Sequence, residues 1–336
     1  MLAVPDDPNN RAMIADWLEL MAVASSDRRV SFEALVSAIA RGEEAQEEDI
    51  AEEDAAEDRL ILDAQEEVSR RQGTVGDAYP FRIDEKGRNL VFERPRSGAG
   101  AVYLFCLFLS HAFERSIIIR KRDAPSVTNS VRDLFQACAT VAAGGFVRGP
   151  AYSFGSPRPD HSSFLKALKQ VYRSFGDGTP NSVPRPAAPR NVKDDGVDVI
   201  AWRRSPDGLP GTQYLVAQVA SGADWVNKSV AADRKHFHKY WFERTPGSVP
   251  TDAMFTPFEL EPEAPNSNAS YRELLVDHMQ DKCYRFGHLF YRDRIAFHFA
   301  EGSRLIEEGE TQIEGYKKLP KIVKWVDNYS KRLRKA

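Results

Sequence analysis

The sequence has little cysteine, no long apolar run and none of the common nucleotide or zinc signatures, and each shortfall removes a class of protein. Its three cysteines, Cys106, Cys138 and Cys283, stand far apart in apolar or helical contexts with no C-x-x-C pair. That excludes a disulfide framework and a cysteine-clasped zinc, and leaves small buried hydrophobes. The most apolar stretch, Ala101 to Phe113, falls far short of the roughly 20 residues a membrane span needs. No basic-then-apolar leader with a small-residue cleavage site opens the chain, so the reading is a soluble, cytoplasmic protein. Without a G-x-x-x-x-G-K-[ST] loop, a G-x-S-x-G elbow or an H-E-x-x-H pair, ATP-driven and zinc-dependent chemistry are poor readings. No internal repeat is present.

What is present is a 336-residue chain, 42% hydrophobic and 28% charged, enough for one large or two ordinary domains. The formal net charge of -3 averages over a strong asymmetry. Glu43 to Glu67 carries 13 acidic residues against one basic, and Lys317 to Lys335 carries eight basic against one acidic. The average therefore does not argue against nucleic acid.

Helical spacing of Ile14, Leu18, Leu20 and Met21, then of Phe32, Leu35, Val36 and Ile39 behind a Ser31 cap, predicts an N-terminal helical unit. The acidic run that follows reads as a solvated helix face or loop, with a nucleic-acid mimic or a partner surface as the functional alternative. Asn89 to Glu93 reads as a strand and Tyr103 to Leu109 as a buried helix. A capped helix from Ser130 through Ala143 is expected to stop at Gly144-Gly145. Ser162 to Phe175 is a further helix, and Thr179 to Arg190, with four prolines, an extended connection. Val197 to Trp202, the turn formers Ser205 to Gly211, and Gln213 to Ala220 form a hairpin. A single helix from Ser221 or Asp224 to about Glu243 follows, then a helix over Tyr271 to Tyr284 and a strand over Leu289 to Phe299.

Phosphodiester cleavage calls for acidic oxygens that hold hard cations, which polarise the phosphate and lower the pKa of water. Two such ligands on adjacent hairpin strands meet that need. Asp198 lies in Lys193-Asp194-Asp195-Gly196-Val197-Asp198 on the first strand, and Gln218 comes 20 positions later on the second. Each residue also has a plainer reading: Asp194 and Asp195 as the start of a strand, and Trp225 as a core anchor rather than a base-stacking residue. His236 and His238, two apart on a helix, do not share a face; a phosphate-facing basic surface is a better functional reading than a metal clasp, and a helix with mixed solvated and buried sides is the plainer one. The tail, with Lys317, Lys318, Lys321 and Lys324 around aliphatic and aromatic residues, suits backbone phosphates, or pairs with the acidic run. Pro320 is expected to interrupt an amphipathic helix there, which weakens a membrane-surface reading.

The Gly-Val-Asp strand followed by Gln218 and Ser-Gly-Ala-Asp-Trp resembles the PD-(D/E)XK restriction-endonuclease-like superfamily, in its Mrr-like branch with a Gln-x-Lys second motif. The resemblance covers Asn129 to about Phe299. It implies an α/β fold, a mixed β-sheet core flanked by helices, here behind an N-terminal helical domain. It implies Mg²⁺ (or Mn²⁺) on Asp198 and Gln218, with Asp195 and Gln136 as supporting ligands, and Asp198, Gln218 and Lys228 as catalytic residues. Two positions depart from the pattern: Ala220 stands where the lysine belongs, leaving Lys228 to reach back from the next helix or to be merely solvated, and Gln136 stands where relatives carry glutamate. Trp225, Arg234, Lys235 and His238 join the tail lysines as nucleic-acid-binding candidates. The expected boundaries are 1–75 for the helical domain with its acidic segment, 76–125 for an α+β connection, 126–305 for the nuclease-like domain and 306–336 for the basic segment. The implied function is metal-dependent hydrolysis of DNA in bacterial anti-phage defence, with DNA and defence proteins as partners and a homodimer as the state that would cut both strands. The alternative is a degraded nuclease-fold subunit that binds nucleic acid or scaffolds a defence complex.

Overall fold

A computed structural model of the chain describes residues 2–40, 50–112, 117–158, 160–189, 192–228, 230–262 and 269–335. Residues 43–49 of the acidic run, and Phe113 at the end of the most apolar stretch, lie outside them. The predicted N-terminal helices are present. Helix α1 (Arg11–Ala24) is capped by Asn10, whose side chain accepts from the Met13 amide at 2.7 Å. After strand β1 (Arg29–Ser31), Ser31 caps α2 (Phe32–Ala40) by accepting from the Ala34 amide at 3.1 Å. The acidic sequence continues into a long helix, α3 (Ile50–Val75). Strands β2 (Phe81–Ile83) and β3 (Asn89–Phe92) complete an antiparallel sheet in the order β1-β3-β2. Helix α4 (Gly98–Ser110) is buried from Ala99 to Leu109, which accounts for its being apolar on every side.

The second half is built on a mixed sheet. Its elements in chain order are α5 (Asn129–Val147), β4 (Ala151–Ser153), α6 (Phe164–Phe175), β5 (Thr179–Pro180), β6 (Val199–Trp202), β7 (Tyr214–Val219), α7 (Val230–Trp241), β8 (Phe242–Arg244), β9 (Pro250–Phe255), α8 (Tyr271–Phe286), β10 (His288–Phe290), α9 (Arg292–Glu307) and α10 (Leu319–Leu333). The sheet order is β10-β9-β7-β6-β4. The β4/β6 and β6/β7 pairs are antiparallel, and β7/β9 and β9/β10 are parallel. Helix α7 makes the long connection that a parallel pair requires. Strands β6 and β7 are central and covered on both faces, so Val-Ile-Ala-Trp and Tyr-Leu-Val-Ala-Gln-Val read as nearly continuous apolar runs. One face packs on α5 and α9 in a core that runs on into α1, α3, α4 and α10. The other carries α6 and α7. Among the described residues, no helix is long and apolar enough to cross a membrane.

Four local expectations are corrected. Helix α5 does not stop at Gly144-Gly145 but runs to Val147, ending on Arg148 in the left-handed region (φ 53°). A Cβ on Gly145 would lie 2.0 Å from the His298 carbonyl oxygen, and one on Gly302 would lie 2.4 Å from that of Val141. These glycines let α5 and α9 touch backbone to backbone; they do not end a helix. The segment after the hairpin is a 3₁₀ turn (Ala223–Asn227), an extended Lys228 and then α7 and β8, not one helix. Leu289 to Phe299 is strand only at its start, because Ile295, Ala296, Phe299, Gly302 and Leu305 are buried at helical spacing. Pro320 sits in the first turn of α10, where its missing N–H costs nothing, and so begins that amphipathic helix instead of breaking it.

The first and second halves are joined by buried charge. Arg71 is fully buried and donates to Glu67 Oε1 (2.9 Å), Asp16 Oδ1 (2.6 Å), Glu19 Oε1 (2.9 Å) and the Ala12 carbonyl (2.8 Å). Arg292 of α9, also fully buried, reaches Asp16 at 2.5 Å. The hydroxyls of Tyr79 and Tyr103 donate to Glu19 at 2.7 and 2.8 Å. Burial pushes the Asp16 carboxyl up, but Arg292, Arg71 and His111 outweigh it and hold the group well below the usual carboxylate range.

Candidate active site at the end of strands β6 and β7

Register places the two sequence-predicted ligands together. Val199 lies opposite Ala217, so Asp198, just before β6, and Gln218, near the end of β7, meet at one end of the sheet. The Asp198 carbonyl accepts from Phe154 (2.8 Å) and Gly155 (2.9 Å), which ties the end of β4 to the same spot. Its side-chain Oδ2 accepts from the Val219 amide at 2.8 Å. A Cβ on Gly155 would lie 2.6 Å from Asp198 Oδ1, 2.6 Å from Gln136 Nε2 and 2.8 Å from Gln136 Oε1. Glycine at this position thus lets the Asp198 carboxylate and the Gln136 amide approach the backbone closely.

Gln218 is 7% exposed. Its Nε2 donates to Asp233 Oδ2 of α7 at 2.5 Å, and its Oε1 is buried without a hydrogen-bond partner. Asp233 was not legible as a site residue; it comes in because α7 crosses the sheet end. A Cβ on Gly196, where φ is +76°, would lie 2.5 Å from Asp233 Oδ2, so the Gly-Val-Asp glycine makes room for that carboxylate.

The electrostatics mark this end of the sheet as a place where carboxylates crowd. Burial pushes the Asp198 carboxyl up to about 7; the Val219 amide and the Lys228 ammonium oppose the rise, and the Asp194 and Asp233 charges add to it. Lys228, exposed in its extended linker, is therefore within electrostatic reach of Asp198. Asp233 is also raised, by burial first and then by Asp195 and Asp194, against its bond to Gln218. Asp195, at φ 55°, accepts from Trp241 Nε1 at 2.7 Å, and burial raises it.

Gln136 of α5 donates to Ser153 Oγ at 2.8 Å, and the Ser153 amide donates to Glu314 Oε2 at 3.1 Å. Burial pushes Glu314 up to about 7. A carboxylate from outside the sheet therefore stands one residue away from Gln136, where a glutamate was expected, and no local pattern in the sequence flags it.

The other candidates fall elsewhere. Trp225 packs on Phe286 at 5.3 Å between ring centroids. Arg234 is engaged with Asp252 through two bonds of 2.5 and 3.0 Å. His238 packs its ring against Phe242, and burial lowers its pKa to about 4. Lys235, Lys317, Lys321 and Lys324 are exposed, and Lys318 pairs with Asp133 at 2.5 Å.

The donor set of Asp198, the unpartnered Gln218 Oε1 and nearby Asp233 consists of hard oxygens, which fits Mg²⁺ or Mn²⁺ and not a thiophilic metal. In comparisons with protein-family models, curated proteins and solved structures, none matches this chain.

Proposed function

We propose that the protein is a metal-dependent nuclease of restriction-endonuclease-like fold that hydrolyses DNA phosphodiester bonds. The observation that carries this reading is the meeting of Asp198 and Gln218 at the ends of adjacent strands, with an orphaned amide oxygen, a raised carboxyl and a lysine within electrostatic reach. The sheet supports it: α5 precedes the antiparallel strands β4, β6 and β7, with α6 and β5 inserted after β4, and α7 with β8 leads to the parallel strand β9. In this reading Asp198 and Gln218 hold Mg²⁺ or Mn²⁺, with Asp233 beside them. The ion, when bound, polarises the phosphate and lowers the pKa of water. Lys228 lends positive charge to the oxygens of the scissile phosphate, the work that Ala220 cannot do. Asp195 is a supporting residue, held by Trp241. The bacterial defence role follows from the family resemblance.

A second reading rests on Gln136, whose amide is engaged by Ser153 and supplies no anionic ligand. It makes the chain a binding or scaffold subunit on a degraded nuclease fold. The test is incubation of the purified chain with plasmid and single-stranded DNA in Mg²⁺, Mn²⁺ or EDTA, alongside Asp198→Ala and Lys228→Ala. Cleavage that needs metal and both side chains supports the nuclease; metal-independent DNA binding with no cleavage in any of the three proteins supports the scaffold.

A further inference from the structure

Far from the β6/β7 site in sequence, a cavity of about 520 Å³ opens where the N-terminal sheet meets α4 and α10. Arg28, Arg94, Arg96, Ser97, Lys331 and Arg334 line its polar side, over a floor that includes Leu104 and Val326. The walls are set by backbone. Arg28 adopts the left-handed region at φ 56°, and its carbonyl accepts from the Phe92 amide at 2.8 Å, which seats it against the end of β3. Ser97 accepts from the Gly100 amide at 3.2 Å and starts α4 at the rim. A Cβ on Gly98 would lie 2.6 Å from Leu319 Cδ2, so glycine there lets α10 close one side.

The charge of the lining is one-sided. Asp327 is its one acidic residue, and it pairs with Arg94 at 3.0 Å. Among the described residues, Arg28, Arg96, Lys331 and Arg334 have no ion-pair partner, and the Arg334 Nε contact is to the Val23 carbonyl. Four cations held around one concavity by elements from residues 28 to 334 repel one another unless an anion joins them. Three are guanidiniums, whose planar forks match phosphate oxygens in pairs. The volume is that of a small-ligand site, too large for one inorganic ion.

We propose that this groove binds an oligophosphate, that is, two or more linked phosphate groups, carried either by a nucleotide or by the backbone of a nucleic acid. The proposal stands independently of the nuclease reading. Its test uses the full chain in EDTA, with tripolyphosphate, ATP and a fluorescein-labelled 12-nucleotide single strand as probes, and the double variant Arg96→Ala/Lys331→Ala. Both side chains are exposed and unpaired, so the variant should melt at the wild-type temperature. We expect tripolyphosphate to bind, the double variant to lose about tenfold or more in affinity, and the salt slope of binding to fall by about two. ATP binding without strand binding assigns the nucleotide as source; displacement of the strand by tripolyphosphate assigns the backbone. Failure of all three probes to bind, unchanged affinity in the variant, or a hexaglutamate peptide that binds as tightly as tripolyphosphate would overturn the proposal.

Discussion

Among the described residues, a carboxylate cluster around α1, α3 and α9 and another at the end of β6 and β7 differ in the cations that meet them. Around α1, α3 and α9, Asp16, Glu19 and Glu67 are met by Arg71 and Arg292 at 2.5 to 2.9 Å, and Asp16 is held in its charged form. At the end of β6 and β7, Asp198, Asp233 and Asp195 crowd together with amides, the Trp241 N–H, the exposed Lys228 and His236, and burial leaves Asp198 pushed up to about 7. The first arrangement meets its carboxylates with guanidiniums and ties α1, α3 and α9 together, although burial still raises Glu19. The second pairs its carboxylates with N–H donors and leaves Gln218 Oε1 unpartnered, which suits the cation proposed above.

The comparison can be broken most directly at Asp198. Asp198→Ala is expected to reduce metal-dependent cleavage by on the order of 10³-fold or more while leaving the melting temperature at or above wild type; a merely structural Asp198 would give the reverse pattern in parallel nuclease and thermal-melt assays. Arg71→Ala should behave oppositely, costing about 3–5 kcal/mol in denaturant unfolding because Glu19 loses its 2.9 Å guanidinium contact, and Asp16 and Glu67 keep only Arg292 and Arg70 as guanidinium partners. The pH response sharpens the contrast in metal-free protein. Because the folded state holds the Asp198 proton more tightly than an ordinary carboxyl near 3.8, stability falls as pH rises from about 3.8 and has fallen fully once pH passes about 7. The melting-temperature difference between Asp198→Asn and wild type in EDTA should therefore grow in favour of the variant from pH 4 to pH 8. A smaller effect is expected at Gln218: Gln218→Ala should weaken Mn²⁺ binding about tenfold and Gln218→Glu should retain it, measured by titration calorimetry. Smallest of all, Lys318→Ala should cost less than about 1 kcal/mol, since its partner Asp133 is partly exposed.

Legibility followed locality. The hairpin was readable because β6 and β7 are covered on both faces and so must be apolar along their whole length, while the turn between them must hold glycine and proline. The Ser31 cap and the stripes of α1 and α2 were readable for the same reason: each is decided within a few residues. In the same α1, however, nothing local marks Asp16 and Glu19 as buried, because the groups that make their burial tolerable stand at Arg71 and Arg292. Gly144-Gly145 misled in the same way, since Gly145 accommodates the His298 and Gly302 backbone and Gly144 the Ile313 side chain, all more than 150 residues on.

For this protein the sequence alone determined the strands that bury a continuous apolar run, the helices with one apolar stripe and the placing of Asp198 and Gln218 on a hairpin. These depend on period, turn chemistry and caps, all of which act over one or two turns of chain. Only the tertiary structure decided that Asp233 stands against Gln218, that Glu314 stands behind Gln136, and that four unpaired cations share one groove. Those juxtapositions are made by packing between elements far apart in the chain, and an isolated segment carries no record of what the rest of the fold will bring to its side.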